Sequence, residues 1–164
     1  MGAVGGAVII VLALVFTNPL QGSSDDPLLG EEREVAAGSH SDNPADVVGL
    51  PGEPPVGGPH FTVPAAPGVY EEPVADGNAV HSLEHGIIWI SYNPELVDEA
   101  ALATLEEVAS DFSGDTILSP RPQNAMPIAV ASWGRLLTLE QADREAIADF
   151  VSRNRNRSPE SGVR

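Results

Sequence analysis

Apolar residues are distributed so unevenly along this 164-residue chain that only part of it can form a packed core. Residues 1–16 are almost wholly apolar, whereas residues 21–59 are rich in proline, glycine, serine and acidic side chains. Periodic apolar patterns begin only at about His60. The chain can therefore hold one folded domain of about 100 residues, with a modest core.

The apolar run predicts a transmembrane anchor over residues 1–20. It has about 16 apolar residues in succession, slightly fewer than the ~20 that a spanning helix needs. No convincing small-x-small cleavage site follows Phe16, so we expect the segment to stay attached. A cleaved signal peptide and a buried core helix are the alternatives. The acidic flank that follows favours a single-pass protein of the cell membrane whose C-terminal domain is extracytoplasmic.

The stretch from residue 21 to residue 59 predicts a disordered linker of Pro, Gly and acidic residues. Its segments, such as Pro-Gly-Glu-Pro-Pro, contain few large apolar side chains. Such a segment buries too little surface to offset the entropy lost on ordering, so we expect a flexible tether. His40 lies in it, and we expect its imidazole to be solvated.

Residues 60–157 predict an extracytoplasmic α+β domain with a small mixed β-sheet, and residues 158–164 a tail. The predicted β-α-β-β-α order comprises a strand over 87–92, a helix over 94–111, strands over 116–118 and 127–133, and a helix over 139–153. Asn93 and Thr138 are the expected N-caps of the two helices, Thr138 within a capping-box pattern. Continuous β-branched and aromatic runs predict the buried strands.

Composition excludes several classes of function. The formal net charge is -16, and all eight basic residues are Arg. Such a chain repels phosphate backbones, which argues against nucleic acid as a partner, and attracts cations. It contains no Cys, so disulfides, thiol redox chemistry, cysteine-type zinc sites and thiolate copper sites are excluded.

Three of the four histidines lie within 26 residues, which makes this region the candidate metal site. His81 and His85 are four residues apart, so on a helical turn they face the same side. His60 would complete three-nitrogen coordination, and Met126 lies in a loop that we expect at the same end of the sheet. Three imidazoles and a thioether would suit copper, the thioether favouring copper(I), with zinc as the alternative. We expect Glu84 to orient a ligating imidazole by a hydrogen bond without binding the metal itself.

The pattern His81-x-x-Glu84-His85 also matches the inverted zinc-protease signature. In that signature both histidines bind zinc and the glutamate activates water. It requires a long stable helix, whereas Gly77 and Gly86 bracket a short segment here. We therefore expect no catalysis by Glu84, and the prediction leans away from an enzyme.

Several short motifs give the region from His60 to Val151 a resemblance to a known family. They are Pro59-His60, Gly68-Val69-Tyr70, His81-Ser-Leu-Glu84-His85-Gly86, Tyr92-Asn93-Pro94, Ser119-Pro120-Arg121-Pro122 and Ser132-Trp133-Gly134-Arg135. On these residues the chain resembles the bacterial domain of unknown function (DUF) 3105 family. The resemblance implies one N-terminal membrane span and an exported domain, and it implies no activity.

These observations predict a membrane-anchored extracytoplasmic metal-binding domain, with copper as the favoured ion, that acts in metal storage, delivery or electron transfer. The second hypothesis is a metal-independent interaction or assembly module at the cell surface, in which the histidines form a hydrogen-bonded structural node. The third is a zinc-dependent hydrolase that uses the H-x-x-E-H pattern.

Overall fold

The computed structural model describes residues 26–163, so the anchor predicted over residues 1–20 lies outside the described part of the chain. Within residues 26–163, none of the helices has the length and apolar character needed to cross a membrane.

The described part folds around one six-stranded mixed sheet, which confirms the predicted α+β class. In chain order its elements are β1 (Glu31–Glu32), β2 (Ser39–His40), a 3-10 turn (Pro44–Asp46), β3 (Pro59–His60), β4 (Gly68–Val69), α1 (Asp76–Glu84), β5 (Ile88–Tyr92), α2 (Glu99–Asp111), β6 (Thr116–Pro120), β7 (Ile128–Ser132), β8 (Arg135–Leu139) and α3 (Arg144–Asn154). The strand order in the sheet is β1-β8-β7-β5-β6-β4. β4, β6 and β5 are parallel to one another, β5, β7, β8 and β1 pair antiparallel, and β2 and β3 form a separate parallel pair.

Helices cover both faces of the central strand β5, which explains why all five of its residues are buried. Ile88 and Ile90 point to one face and pack in the core formed with α2 and α3. Trp89 points to the other face, where it packs with Ala79 and Leu83 of α1. The alternation follows from the two-residue period of a strand. It leaves α1, the helix that carries His81, alone on its face of the sheet among the three helices described.

Both predicted N-caps are wrong, because other residues begin the helices. Asp98 caps α2 and Asp143 caps α3, each through its carboxylate. The Asn93 side chain instead accepts a hydrogen bond from Glu95 N–H in a turn that precedes α2. Thr138 lies in β8, a strand that the sequence did not predict, and pairs with Ala129 of β7. At Thr138, pairing between strands therefore determines the structure, and the local capping pattern does not.

The described part of the predicted linker, residues 26–59, packs against the domain. β1 pairs with β8 along the edge of the sheet, and the Arg33 guanidinium donates two hydrogen bonds to the Glu53 carboxylate. β2 pairs with β3, and Ser41 N–H donates to the His60 carbonyl. Backbone pairing and charge-assisted hydrogen bonds thus hold a segment whose apolar content is too low to hold it alone.

Contacts at both ends fix α1 on the sheet. At its first turn, Asp76 accepts two hydrogen bonds from the guanidinium of the buried Arg121. At its last turn, Ile87 N–H donates to the Ser82 carbonyl, and Gly86 turns the chain into β5 with φ +88°. A positive φ of this size is readily adopted by glycine. The histidines of α1 are therefore carried by a helix that is held at both ends.

Candidate metal centre

The four histidines form one continuous cluster on the α1 face of the sheet. The His81 ring centroid lies 4.8 Å from that of His60, 4.9 Å from that of His40 and 4.6 Å from that of His85. One ring nitrogen from each of His40, His60 and His81 lies within 4.8 Å of the other two. These three imidazoles are therefore the candidate ligand set, and we call them the histidine triad.

His60 is fully buried, and a backbone carbonyl fixes its orientation. Its Nδ1 lies 2.8 Å from the Gly58 carbonyl oxygen, which can only accept, so Nδ1 carries the proton. Within residues 26–163, His60 Nε2 is a buried side-chain atom that has no hydrogen-bond partner. A buried nitrogen without a partner costs about 1–3 kcal/mol, and a metal ion would satisfy it.

His81 is held in the same way. Its Nδ1 donates to the Phe61 carbonyl oxygen at 2.7 Å, which leaves Nε2 with a lone pair. Burial lowers the pKa of His81, and the three neighbouring histidines lower it further, against the opposing effect of the Phe61 carbonyl. The lowered pKa favours the neutral imidazole that binds metal. Carbonyls that orient ligating imidazoles through the other ring nitrogen are a common feature of metal sites.

His40 joins the triad because β2 pairs with β3, which sets His40 opposite His60. Its side chain is exposed, unlike those of His60 and His81. Its sequence context predicted a solvated imidazole on a flexible tether, whereas His40 lies beside two buried imidazoles. The signal that could have identified it is the scarcity of histidine, since the chain has only four.

Two predicted ligands are placed differently from the triad. The His85 ring touches that of His81, but its Nε2 lies 3.8 Å from a carboxylate oxygen of Glu160. Met126 precedes β7, whereas Trp133, whose ring centroid lies 6.2 Å from that of His60, follows the other end of β7. Seven residues of mostly extended chain span about 20 Å. The loop of Met126 therefore lies at the far end of the strand from the histidines.

Glu84 contacts the triad, but not in the manner expected of a residue that orients a ligating imidazole. Its Oε2 lies 3.1 Å from His60 Nε2, the ring nitrogen that makes no hydrogen bond, rather than from Nδ1. The orienting role belongs to the carbonyl groups of Gly58 and Phe61. The Glu84 side chain is 10% exposed, so its carboxylate is largely withdrawn from water.

The donor set fits a first-row transition metal. Metal–imidazole bonds of about 2.0–2.1 Å place tetrahedral ligand nitrogens about 3.3 Å apart. The three triad nitrogens, within 4.8 Å of one another, need to close by up to about 1.5 Å. The exposed His40 on its two-residue strand is the ligand best able to move. Imidazole nitrogen suits zinc, copper, iron and nickel.

The fold and the cluster together define a small α+β domain with a histidine-lined candidate metal centre on one face of its sheet. The chain belongs to the family described as "Protein of unknown function (DUF3105)", whose family model matches residues 43–164. The resemblance predicted from the sequence is therefore confirmed. The matched range includes His60, His81 and Glu84 and begins after His40. Neither a curated protein nor a solved structure matches the chain.

Proposed function

We propose that this protein is a membrane-anchored, extracytoplasmic metal-binding domain whose histidine triad holds one transition-metal ion for storage or delivery. The observation that carries the proposal is the buried Nε2 of His60, which has no hydrogen-bond partner within residues 26–163 and lies among two other imidazoles. Two of the three rings are already oriented by carbonyl groups, so binding requires little reorganisation of His60 and His81.

Copper(II) is the proposed ion, with zinc as the alternative. Nitrogen donors bind copper(II) most tightly among the divalent first-row ions, and zinc binds the same ligands in a tetrahedral arrangement. The argument for copper(I) from the Met126 thioether does not carry over, because the β7 strand separates Met126 from the triad. The exposed ligand His40 favours storage or delivery over electron transfer, since an ion can enter and leave on its side.

The first prediction tests this proposal by removing one ligand at a time. The wild-type domain should bind one copper(II) or zinc ion per chain. His60→Ala or His81→Ala should weaken binding by at least about 100-fold, since loss of a residue that only orients a ligand already costs about 10–100-fold. Competition titration measures the affinity, and elemental analysis of the purified protein measures the stoichiometry.

His85→Ala is the matched control, because His85 contacts His81 but lies outside the triad. It should retain an affinity close to wild type. Equal affinity in the His60, His81 and His85 variants would contradict the proposal. Loss of metal affinity in the His81 and His85 variants alone would instead support the His81–His85 ligand pair predicted from the sequence.

A metal-independent interaction module is the second candidate, and one observation favours it. His60 Nε2 and Glu84 Oε2, 3.1 Å apart, would form a buried ion pair if the imidazole were protonated. The cluster would then be a structural node. Wild-type protein without measurable metal affinity, together with a large loss of stability in His60→Ala, would favour this candidate.

The membrane anchor is proposed from the apolar run at residues 1–20 and the acidic residues that follow it. As the second prediction, we expect protease treatment of intact cells to release the folded domain from the membrane. The cleavage should fall between the anchor and residue 31, where β1 begins to pair with the sheet. Full protection of the domain in intact cells, with cleavage after lysis as the control, would contradict this topology.

A further inference from the structure

The Glu84 carboxylate is buried beside the histidine triad, and its placement differs from that of an ordinary hydrogen-bond partner. A carboxylate withdrawn from water needs a cation or several hydrogen bonds to stay ionised. Within residues 26–163, the ion-pair partner of Glu84 is His60, at 3.1 Å from Nε2. Yet Nε2 has no hydrogen bond, because the oxygen is close to it without the alignment that such a bond requires.

Two side chains that bind the same metal ion bring their donor atoms close together without forming a hydrogen bond between them. Donor atoms about 2.1 Å from a metal and separated by about 90–110° lie about 3.0–3.4 Å apart. The observed separation of 3.1 Å falls within this range. In such a site the imidazole lone pair points to the ion, and the neighbouring carboxylate oxygen lies to one side of that direction.

The segment that supplies His40 also covers the Glu84 carboxylate. A Cβ added to Gly38 would lie 1.9 Å from Glu84 Oε1 and 3.4 Å from Cε1 of His60. Only the absence of a side chain at residue 38 allows the backbone to pass this close. Two residues later the same segment places His40 in the triad. One stretch of chain thus contacts the buried carboxylate and supplies the exposed imidazole, while the atoms that already lie within 4.8 Å of one another belong to the three imidazoles.

We propose that Glu84 is the fourth ligand of the ion held by His40, His60 and His81. This inference rests on the proposed function and specifies its coordination chemistry. An anionic oxygen donor favours a divalent ion over copper(I), because carboxylates are harder ligands than thioethers or thiolates. Four protein ligands also close a tetrahedral site, as in storage or structural sites, whereas catalytic zinc sites keep a position for water.

The third prediction compares zinc binding by the wild type with that of two variants that remove the carboxylate differently. Glu84→Gln keeps the size of the side chain but lacks the charge, and Gly38→Ala displaces the carboxylate by overlap with Oε1. Both should weaken zinc binding at least tenfold and copper(I) binding much less. Cobalt(II) substitution provides the readout of coordination, since losing a ligand should change the visible absorption bands of the ion.

The outcomes separate this inference from the proposed function. Wild-type protein that binds no ion would remove both. One ion per wild-type chain with unchanged zinc affinity and an unchanged cobalt spectrum in both variants would remove Glu84 as a ligand and leave the triad. If Glu84→Gln fails to fold, the test rests on Gly38→Ala. This variant should fold, because its added Cβ overlaps only the end of the Glu84 side chain, which can move. Full zinc affinity in Gly38→Ala would then overturn the inference.

Discussion

Saturation with zinc or copper(II) should raise the thermal unfolding midpoint of the wild-type domain by about 12–20 °C. An ion that binds only the native state adds about 4 kcal/mol of stability at a free concentration 1,000 times its dissociation constant. For a domain of this length, each kcal/mol raises the midpoint by about 3–5 °C. Circular dichroism melts of metal-free and metal-loaded protein measure the shift, and a chelator should reverse it.

The His60→Ala variant separates binding at the triad from binding elsewhere. The chain has 24 acidic and 8 basic residues, so its surface can attract cations without any built site. Surface binding would raise the midpoint equally in wild type and in His60→Ala, and that result would contradict the proposed site. Binding at the triad should give a large shift in the wild type and in His85→Ala, and only a small one in His60→Ala.

The buried elements of the fold were predictable from sequence because burial leaves a strong pattern. The run that forms β5 is apolar on both of its faces, and the structure covers it on both faces. The three- and four-residue spacing of apolar side chains gave the extent of α2 to its C-terminal end at Asp111. The class, a mixed sheet with helices, followed from these elements and is confirmed.

The elements that the sequence analysis missed are held by partners distant in sequence. Residues 135–139 form β8 because they pair with β7 on one side and β1 on the other. Their own sequence, Arg-Leu-Leu-Thr-Leu, lacks the strict alternation that marks a half-buried strand. The local capping pattern at Thr138 was therefore the stronger signal, although it was the wrong one.

The residues of the candidate site were also predictable only in part. His60 and His81 were predictable from residue type and clustering, and the structure brings them together. His40 was missed because apolar content was the criterion for order, whereas backbone pairing and ion pairs hold its segment. Met126 was predicted to be a ligand because its loop was expected at the histidine end of the sheet. The direction of β7 places that loop at the other end.

Gly86→Ala should destabilise the domain by about 2–5 kcal/mol, enough to unfold much of the protein if its stability lies near the lower end of the usual 5–15 kcal/mol. Gly86 has φ +88°, and an L-residue in the left-handed region costs about 1–2 kcal/mol. Its Cβ would also lie 2.7 Å from Asn156 Cα and 2.9 Å from Asn156 N. Such overlap with backbone atoms adds about 1–3 kcal/mol. Denaturant unfolding measures the sum.

Gly114→Ala isolates the contribution of this overlap, because Gly114 has φ +89° and, within the described residues, its added Cβ would meet no atom within 4 Å. It should cost only the backbone term of about 1–2 kcal/mol. Gly86 also accepts a hydrogen bond from Asn156 N–H at 2.9 Å and joins α1 to β5. Relief of the overlap must therefore move the end of α1 that carries His81, so metal affinity should fall in Gly86→Ala and not in Gly114→Ala. Equal stability and equal metal affinity in the two variants would mean that the contact with Asn156 does not position the site.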